Sequence, residues 1–167
     1  MKARLHGALL RFYARLPRPV RRSIVRRIAP QYTVGSICVV ERDDGRLLLI
    51  RQSYRRRWGI PGGLLRKGEA AADGARREVE EEIGIAVELL GEPTVVVSPR
   101  PRRVDVIYRA RPVVGARADD VRPSSPEIVE VRWFDPAELP ELQEETADAV
   151  RAIARASLRP AARPLAR

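Results

Sequence analysis

Cysteine and histidine are almost missing from this sequence, which holds one of each, Cys38 and His6. A single cysteine excludes an intramolecular disulfide and a cysteine-built zinc cage, and it fits a reducing, cytoplasmic setting. Cys38 has apolar neighbours on a strand pattern and reads as inert packing rather than a nucleophile. His6 lies far from any motif, so a histidine general base is not expected. Lysine is also scarce, two residues against thirty arginines, a bias that a GC-rich genome explains without nucleic-acid binding. Long apolar runs are absent: none approaches the roughly 18 residues that a membrane-spanning helix needs. Lys2 and Arg4 resemble the start of a signal peptide, but Arg11 and Arg15 interrupt the apolar stretch after them, and no targeting segment is expected.

The residues present fit one ordinary folded domain with extensions: 167 residues, 44% hydrophobic and 32% charged. The net charge of +10 sits at the ends. Residues 1–30 hold nine Lys or Arg and no acid, and residues 151–167 hold five Arg and no acid, which leaves the stretch between at −4. Basicity therefore belongs to the appendages.

Leu5, Leu9, Phe12 and Leu16 recur at helical spacing, and after Pro17 and Pro19 a second short helix has Val20, Ile24, Val25 and Ile28 on one side and arginines on the other. Residues 1–30 thus read as a basic amphipathic helical extension. Its apolar stripe would pack on this domain or make a homodimer with a second copy; peripheral membrane contact is the second reading, and nucleic acid is the least favoured, because no aromatics interleave the charges.

Residues 31–158 read as the domain and 159–167 as a basic tail. Strands are expected at 33–40 and 46–50, joined as a hairpin by Asp43-Asp44-Gly45, and at 86–90, 94–97, 104–110 and 128–134. Gly59-Ile60-Pro61-Gly62-Gly63 reads as a turn, followed by a helix over 71–83 stopped by Gly84; a last helix is expected over 142–158. Runs of strands between helices indicate the α+β class with a mixed sheet.

The central helix carries the chemistry. At about 100° per residue, Glu78, Glu81 and Glu82 fall within about 100° of one another, and Ala72, Ala75, Val79 and Ile83 form an adjoining apolar stripe. Like charges at this spacing repel, more so beside a docked face, unless a cation neutralises them. Carboxylate oxygens suit a hard divalent ion such as Mg²⁺, with Mn²⁺ as its substitute, shared with substrate phosphates. Gly62 and Gly63 would leave backbone room for phosphate and metal. An acidic helix on its own is more often a solvated face, and the wider pattern is what reverses that reading.

Gly63, five residues, Glu69, seven residues, Arg77-Glu78-Val79, one residue, Glu81-Glu82, one residue, Gly84-Ile85: this resembles the Nudix box at every defined position, eight or nine residue types fixed over 23 positions. The resemblance to Nudix hydrolases extends over roughly residues 32–145. It implies an α/β/α sandwich around a mixed sheet and hydrolysis of a nucleoside diphosphate linked to another moiety. By the same resemblance Glu78, Glu81 and Glu82 would hold Mg²⁺, with Glu81 or Glu82 helping to deprotonate water. Arg77 would brace Glu69, Glu69 would reach metal as a further ligand, and Gly62 would offer its carbonyl to metal.

Beside the box, Arg51, Arg55 and Arg57 are candidates for substrate phosphates, with ordinary loop arginines as the equal alternative. Trp58 is a candidate for stacking on a base, though a structural aromatic is the favoured reading. Glu127 matches the place of a supplementary glutamate, and Asp119 and Asp120 read as solvated. The rivals are removal of pyrophosphate from an RNA 5′ end and a non-catalytic nucleotide-binding module. An intact set of box glutamates disfavours the second.

Overall fold

Alternation along the first strand decides the layering. In a computed structural model, which describes residues 7, 11–113 and 120–157, strand β1 (Thr33–Val40) is buried on both faces from Gly35 onward. Ile37 and Val39 join one core with Leu47, Leu49, Ile60, Ile107, Ala149 and Ile153. Cys38 and Val40 join another with Leu48, Ile50, Ala75, Val79 and Ile83. Side chains of a strand alternate sides, so a strand apolar at every position must be covered twice. Helix α2 (Ala71–Ile83) covers one face and α3 (Glu144–Ser157) the other, giving the α/β/α sandwich.

The remaining strands are β2 (Leu47–Gln52), β3 (Gly62–Leu64), β4 (Val87–Ser98), β5 (Arg103–Pro112) and β6 (Ile128–Phe134). One sheet has the order β3-β1-β5-β4, with β1 and β5 parallel and the other pairs antiparallel; β2 and β6 form a second, antiparallel sheet. The sheet content is therefore mixed, as expected for the α+β class.

Three details correct the sequence expectation. The 43–45 turn forms, with Gly45 at φ 85° and Arg42 N–H donating to the Arg46 carbonyl (2.9 Å), but β1 and β2 do not make a hairpin. Beyond the Glu41–Leu47 bridge they part into different sheets, because both edges of β1 are taken, by β3 and β5, and β2 pairs with β6. The two strands expected at 86–90 and 94–97 are one strand with an irregularity between Leu90 and Thr94, where Gly91 takes φ 64°. Gly62–Leu64, read as turn, is an edge strand on β1.

Helix α2 is fixed at both ends. Ser36 Oγ donates to the Ala71 carbonyl (2.6 Å) at its start. At its close Gly84 adopts φ 73°, and Ser124 N–H and Arg122 N–H take up the Glu82 and Ile83 carbonyls (3.0 and 3.3 Å) that the helix leaves open. A Cβ on Gly84 would stand 2.5 Å from Ser124 Oγ. Gly84→Ala is therefore expected to destabilise the protein by about 1–2 kcal/mol, through the left-handed backbone and the displaced Ser124. Urea unfolding checks this; an unchanged midpoint contradicts it.

By internal packing the chain divides into residues Met1–Tyr32 and Thr33–Arg167. In the first, residues 11–15 are helical and α1 runs from Arg18 to Ile28, with Pro17 at its N-cap. It has no buried residue, and Val20, Val25 and Ile28 are exposed. Half of the first expected helix, the end of the last one at residue 158, the 159–167 tail, His6 and Asp119 lie outside the described residues. No described helix is long and apolar enough to cross a membrane.

Candidate active site

The expected glutamate face forms on α2, but its three members differ sharply in environment. Val79 and Ile83 are fully buried in the sheet-facing core, each stabilising the docked helix by roughly 1.5–3 kcal/mol. Glu82, next to that stripe, is carried inward and is 7% exposed. Gly62 N–H donates to its Oε2 (3.0 Å). Burial pushes the Glu82 carboxyl up to about 8; the Gly62 bond opposes this, and the charges of Glu78, Glu127 and Glu81 add to it.

Arg77 organises the rest. Its Nε and Nη2 donate to the two oxygens of Glu69 (2.7 and 2.9 Å), and its Nη1 donates to Glu78 Oε1 (2.7 Å) and Glu81 Oε2 (3.1 Å). The Arg66 N–H also donates to Glu69 Oε2 (2.8 Å). Arg77 holds the Glu69 carboxyl down to about 2, and Glu69 in turn raises the guanidinium. The fork geometry is bidentate, which a lysine cannot reproduce. Glu81 is the exposed member: desolvation, the largest single influence, raises its carboxyl, but the hydrogen bonds and charges of Arg77 and Arg66 together outweigh it and hold the carboxyl below the ordinary range.

Gly62 and Gly63 join these carboxylates to a cleft. A Cβ on Gly62 would come within 2.6 Å of the Ser36 carbonyl oxygen, so that position requires glycine, and one on Gly63 would come within 2.4 Å of Glu78 Oε1 and displace that carboxylate. The same glycines line a solvent-open cleft with Tyr54, Arg55, Leu64, Arg103 and Gln143.

Donor chemistry fits a hard divalent cation: all-oxygen carboxylates beside a backbone that leaves space. The three α2 glutamates are engaged unequally: Glu82 faces Gly62, while Glu78 and Glu81 face Arg77. Among the described residues no three carboxylates stand close enough together to share an ion. Arg77 and Arg66 occupy the oxygens that would do so. Glu69 has both oxygens committed to Arg77 and to the Arg66 N–H, which suits bracing better than ligation.

A model of the NUDIX domain matches residues 31–156. The chain belongs to the Nudix family. A MutT-like protein of Streptomyces ambofaciens is 39% identical over 113 residues, 67% of this chain and 70% of that one. A MutT Nudix hydrolase from Burkholderia pseudomallei superposes with TM-score 0.60 at 30% identity, over 74% of this chain and 99% of that one. A Nudix hydrolase from Nitrosomonas europaea gives TM-score 0.65 at 26% identity, over 80% and 78%. The chain is accordingly a Nudix-type pyrophosphohydrolase, and enzymes of this family generally use divalent metal ions.

The other sequence candidates of this Nudix chain are placed less uniformly. Arg51 pairs with Glu130 and lies over the Trp58 ring, 5.9 Å from its centroid. Trp58 meets Phe134 edge-on at 4.8 Å within the α3-side core. Trp58 is thus engaged in packing, the reading favoured for it from sequence, while Arg51 stays exposed with its guanidinium on a surface ion pair. Arg57 pairs with Glu141 (2.7 Å), away from the glutamates, while Arg55 lines the cleft and reaches Glu145 at 3.4 Å. Glu127 is exposed, accepts from Tyr54 OH (3.3 Å), and is near enough to Glu82 to raise its carboxyl.

Sequence spacing does not single out Tyr54, Gln143 or Arg66, which the fold brings to the site. Arg66 lies at an unspecified position within the box, and Gln143 arrives only through tertiary structure, where its Nε2 donates to the Arg57 carbonyl (3.1 Å).

Proposed function

We propose that this Nudix enzyme hydrolyses the phosphoanhydride of a nucleoside diphosphate linked to another moiety, or of a nucleoside triphosphate, with Mg²⁺ held by Glu78, Glu81 and Glu82. The observation that carries the reading is the buried Glu82 against Gly62, with Glu78 beside Gly63, where both glycines also line the cleft. A bound divalent ion supplies charge screening for the phosphates and acidifies water. Glu82 is the group suited to move a proton, because it is buried at the Gly62 end of the cleft, where the other two glutamates of the face are tied to Arg77. Arg77 holds Glu78 and Glu81 in register, and Glu69 locks Arg77. Tyr54 is 64% exposed at the cleft and offers a face for a base, and Arg55 offers a guanidinium for phosphate.

A panel of nucleoside diphosphate conjugates and nucleoside triphosphates with Mg²⁺, scored by product mass, tests this. Cleavage between phosphorus atoms is expected, abolished by EDTA and restored by excess Mg²⁺ or Mn²⁺. Failure to cleave any phosphoanhydride contradicts the reading. A capped or triphosphorylated RNA in the same panel addresses the RNA-end alternative, whose binding would fall steeply with salt.

For residues 1–30 the apolar stripe opposite acid-free arginines supports contact with protein, this domain or a second copy, and as the second reading contact with an anionic membrane surface, from which vesicle binding follows. Co-sedimentation of the full chain with vesicles rich in phosphatidylserine is expected, weakening as salt rises; equal recovery with neutral vesicles contradicts it.

A further inference from the structure

Arg66 touches the glutamate cluster without a task in the chemistry. Its Nη2 donates to Glu81 Oε1 at 2.8 Å, and Arg77 Nη1 takes the other oxygen at 3.1 Å, so both oxygens of Glu81 are bound to guanidinium groups. The two arginines are not equivalent. Arg77 is 16% exposed and forked onto Glu69, which is 14% exposed, so it cannot leave without stranding a carboxylate. Arg66 is 63% exposed and held at Glu81 by one exposed contact, worth little and easily exchanged. Its backbone is anchored nonetheless, through its N–H to Glu69, two residues after Leu64 of the cleft wall. A long side chain on a fixed base can change partner without moving the loop.

We infer that Arg66 is an exchangeable counter-ion: it neutralises Glu81 when no divalent cation is bound, releases it when one binds, and then turns its guanidinium to the substrate's phosphates. Arg66 is thus a positioning residue that couples cation and polyphosphate binding. In the cation-free site it antagonises metal by occupying Glu81. With both ligands present, its charge moves from a carboxylate to a phosphate, a bidentate match of equal chemistry. The coupling is reciprocal: each ligand strengthens the other partly through this one side chain. The inference rests on the assignment of Glu81 to metal made above.

The test is equilibrium binding to the full chain, followed by Mn²⁺ electron paramagnetic resonance and calorimetry, with methylenediphosphonate as a non-hydrolysable phosphate probe. Arg66→Ala is expected to bind Mn²⁺ alone about 3–10-fold more tightly than the natural protein, since a competing cation is gone. The same variant should bind methylenediphosphonate in the presence of Mn²⁺ about 5–20-fold more weakly. Arg66→Lys should recover part of both effects. Lys67→Ala removes the same charge one residue away and controls for a general field effect; it should change neither affinity by more than about 2-fold. Equal Mn²⁺ affinity in Arg66→Ala and the natural protein overturns the inference while leaving the metal site standing. A natural protein that binds no Mn²⁺ at all overturns the metal site as well. Equal tightening in Lys67→Ala assigns the effect to net charge and also overturns the role given to Arg66.

Discussion

Glu82→Gln should leave the fold intact and lower kcat by about 10²–10⁴-fold with saturating Mg²⁺, the span expected when a proton-moving carboxylate is removed. Glutamine has the shape of the protonated acid and can still accept from Gly62 N–H, so packing survives. The metal-free protein gains from the same change. Burial raises the Glu82 carboxyl to about 8, well above its value in an unfolded chain, so the folded state binds the extra proton between those limits. Stability contributed by the protonated form is fully present at acid pH and falls as pH rises through about 8. Without metal, the natural protein should therefore lose Tm from pH 5 to pH 8, and Glu82→Gln should lose less. Cation binding runs the other way, since the carboxyl must give up its proton, and it should tighten as pH rises to about 8. A variant with near-natural turnover, or with the same loss of Tm as the natural protein, contradicts the role of Glu82.

Arg77→Ala should be the most destabilising single change in the site. It leaves Glu69 and Glu78, 14% and 15% exposed, without their guanidinium partner. Both carboxylates are only half-buried but share this one guanidinium, and a Tm fall of about 5 °C or more is expected for a domain of this size. Activity should fall with it, because Glu78 and Glu81 both take their orientation from Arg77 Nη1. Added Mg²⁺ can compensate Glu78 and Glu81 but not Glu69, whose oxygens face Arg77 and the Arg66 N–H, so Mg²⁺ should restore only part of the lost stability. Arg77→Lys keeps the charge and loses the fork, and its Tm should fall between the two. Thermal unfolding with and without Mg²⁺ measures this; a loss under about 1 kcal/mol would remove Arg77 as the organiser.

Features set by local period and spacing are legible in the sequence. Apolar residues at 72, 75, 79 and 83 place α2, Gly84 places its end, and the box spacing puts Glu78 and Glu82 on one face beside the apolar stripe. Strand partners are less accessible. Asp43-Asp44-Gly45 is a sound turn, yet it cannot reveal that β2 pairs with β6, more than seventy residues later, in preference to β1. Nor can Gly62–Leu64 look like a strand, since a three-residue glycine-rich edge has no alternation to read. Side-chain partnership is least legible of all. Charge alone makes Arg51 and Arg57 candidates for phosphate, but Glu130 and Glu141 reach them only through tertiary folding. Arg66 is hidden for the same reason, because its partner lies fifteen residues on across the loop-to-helix turn.

The enzyme reading stands on α2 carboxylates seating a divalent cation at the Gly62–Gly63 end of the cleft. Crystals grown with Mn²⁺ and a non-hydrolysable nucleotide, measured at a wavelength that reveals manganese, test it directly. Anomalous peaks bonded to Glu78, Glu81 and Glu82 oxygens and to phosphate are expected, with Arg66 turned away from Glu81. Phosphate in the cleft with manganese elsewhere, and Arg66 and Arg77 still closing the carboxylates, would contradict it.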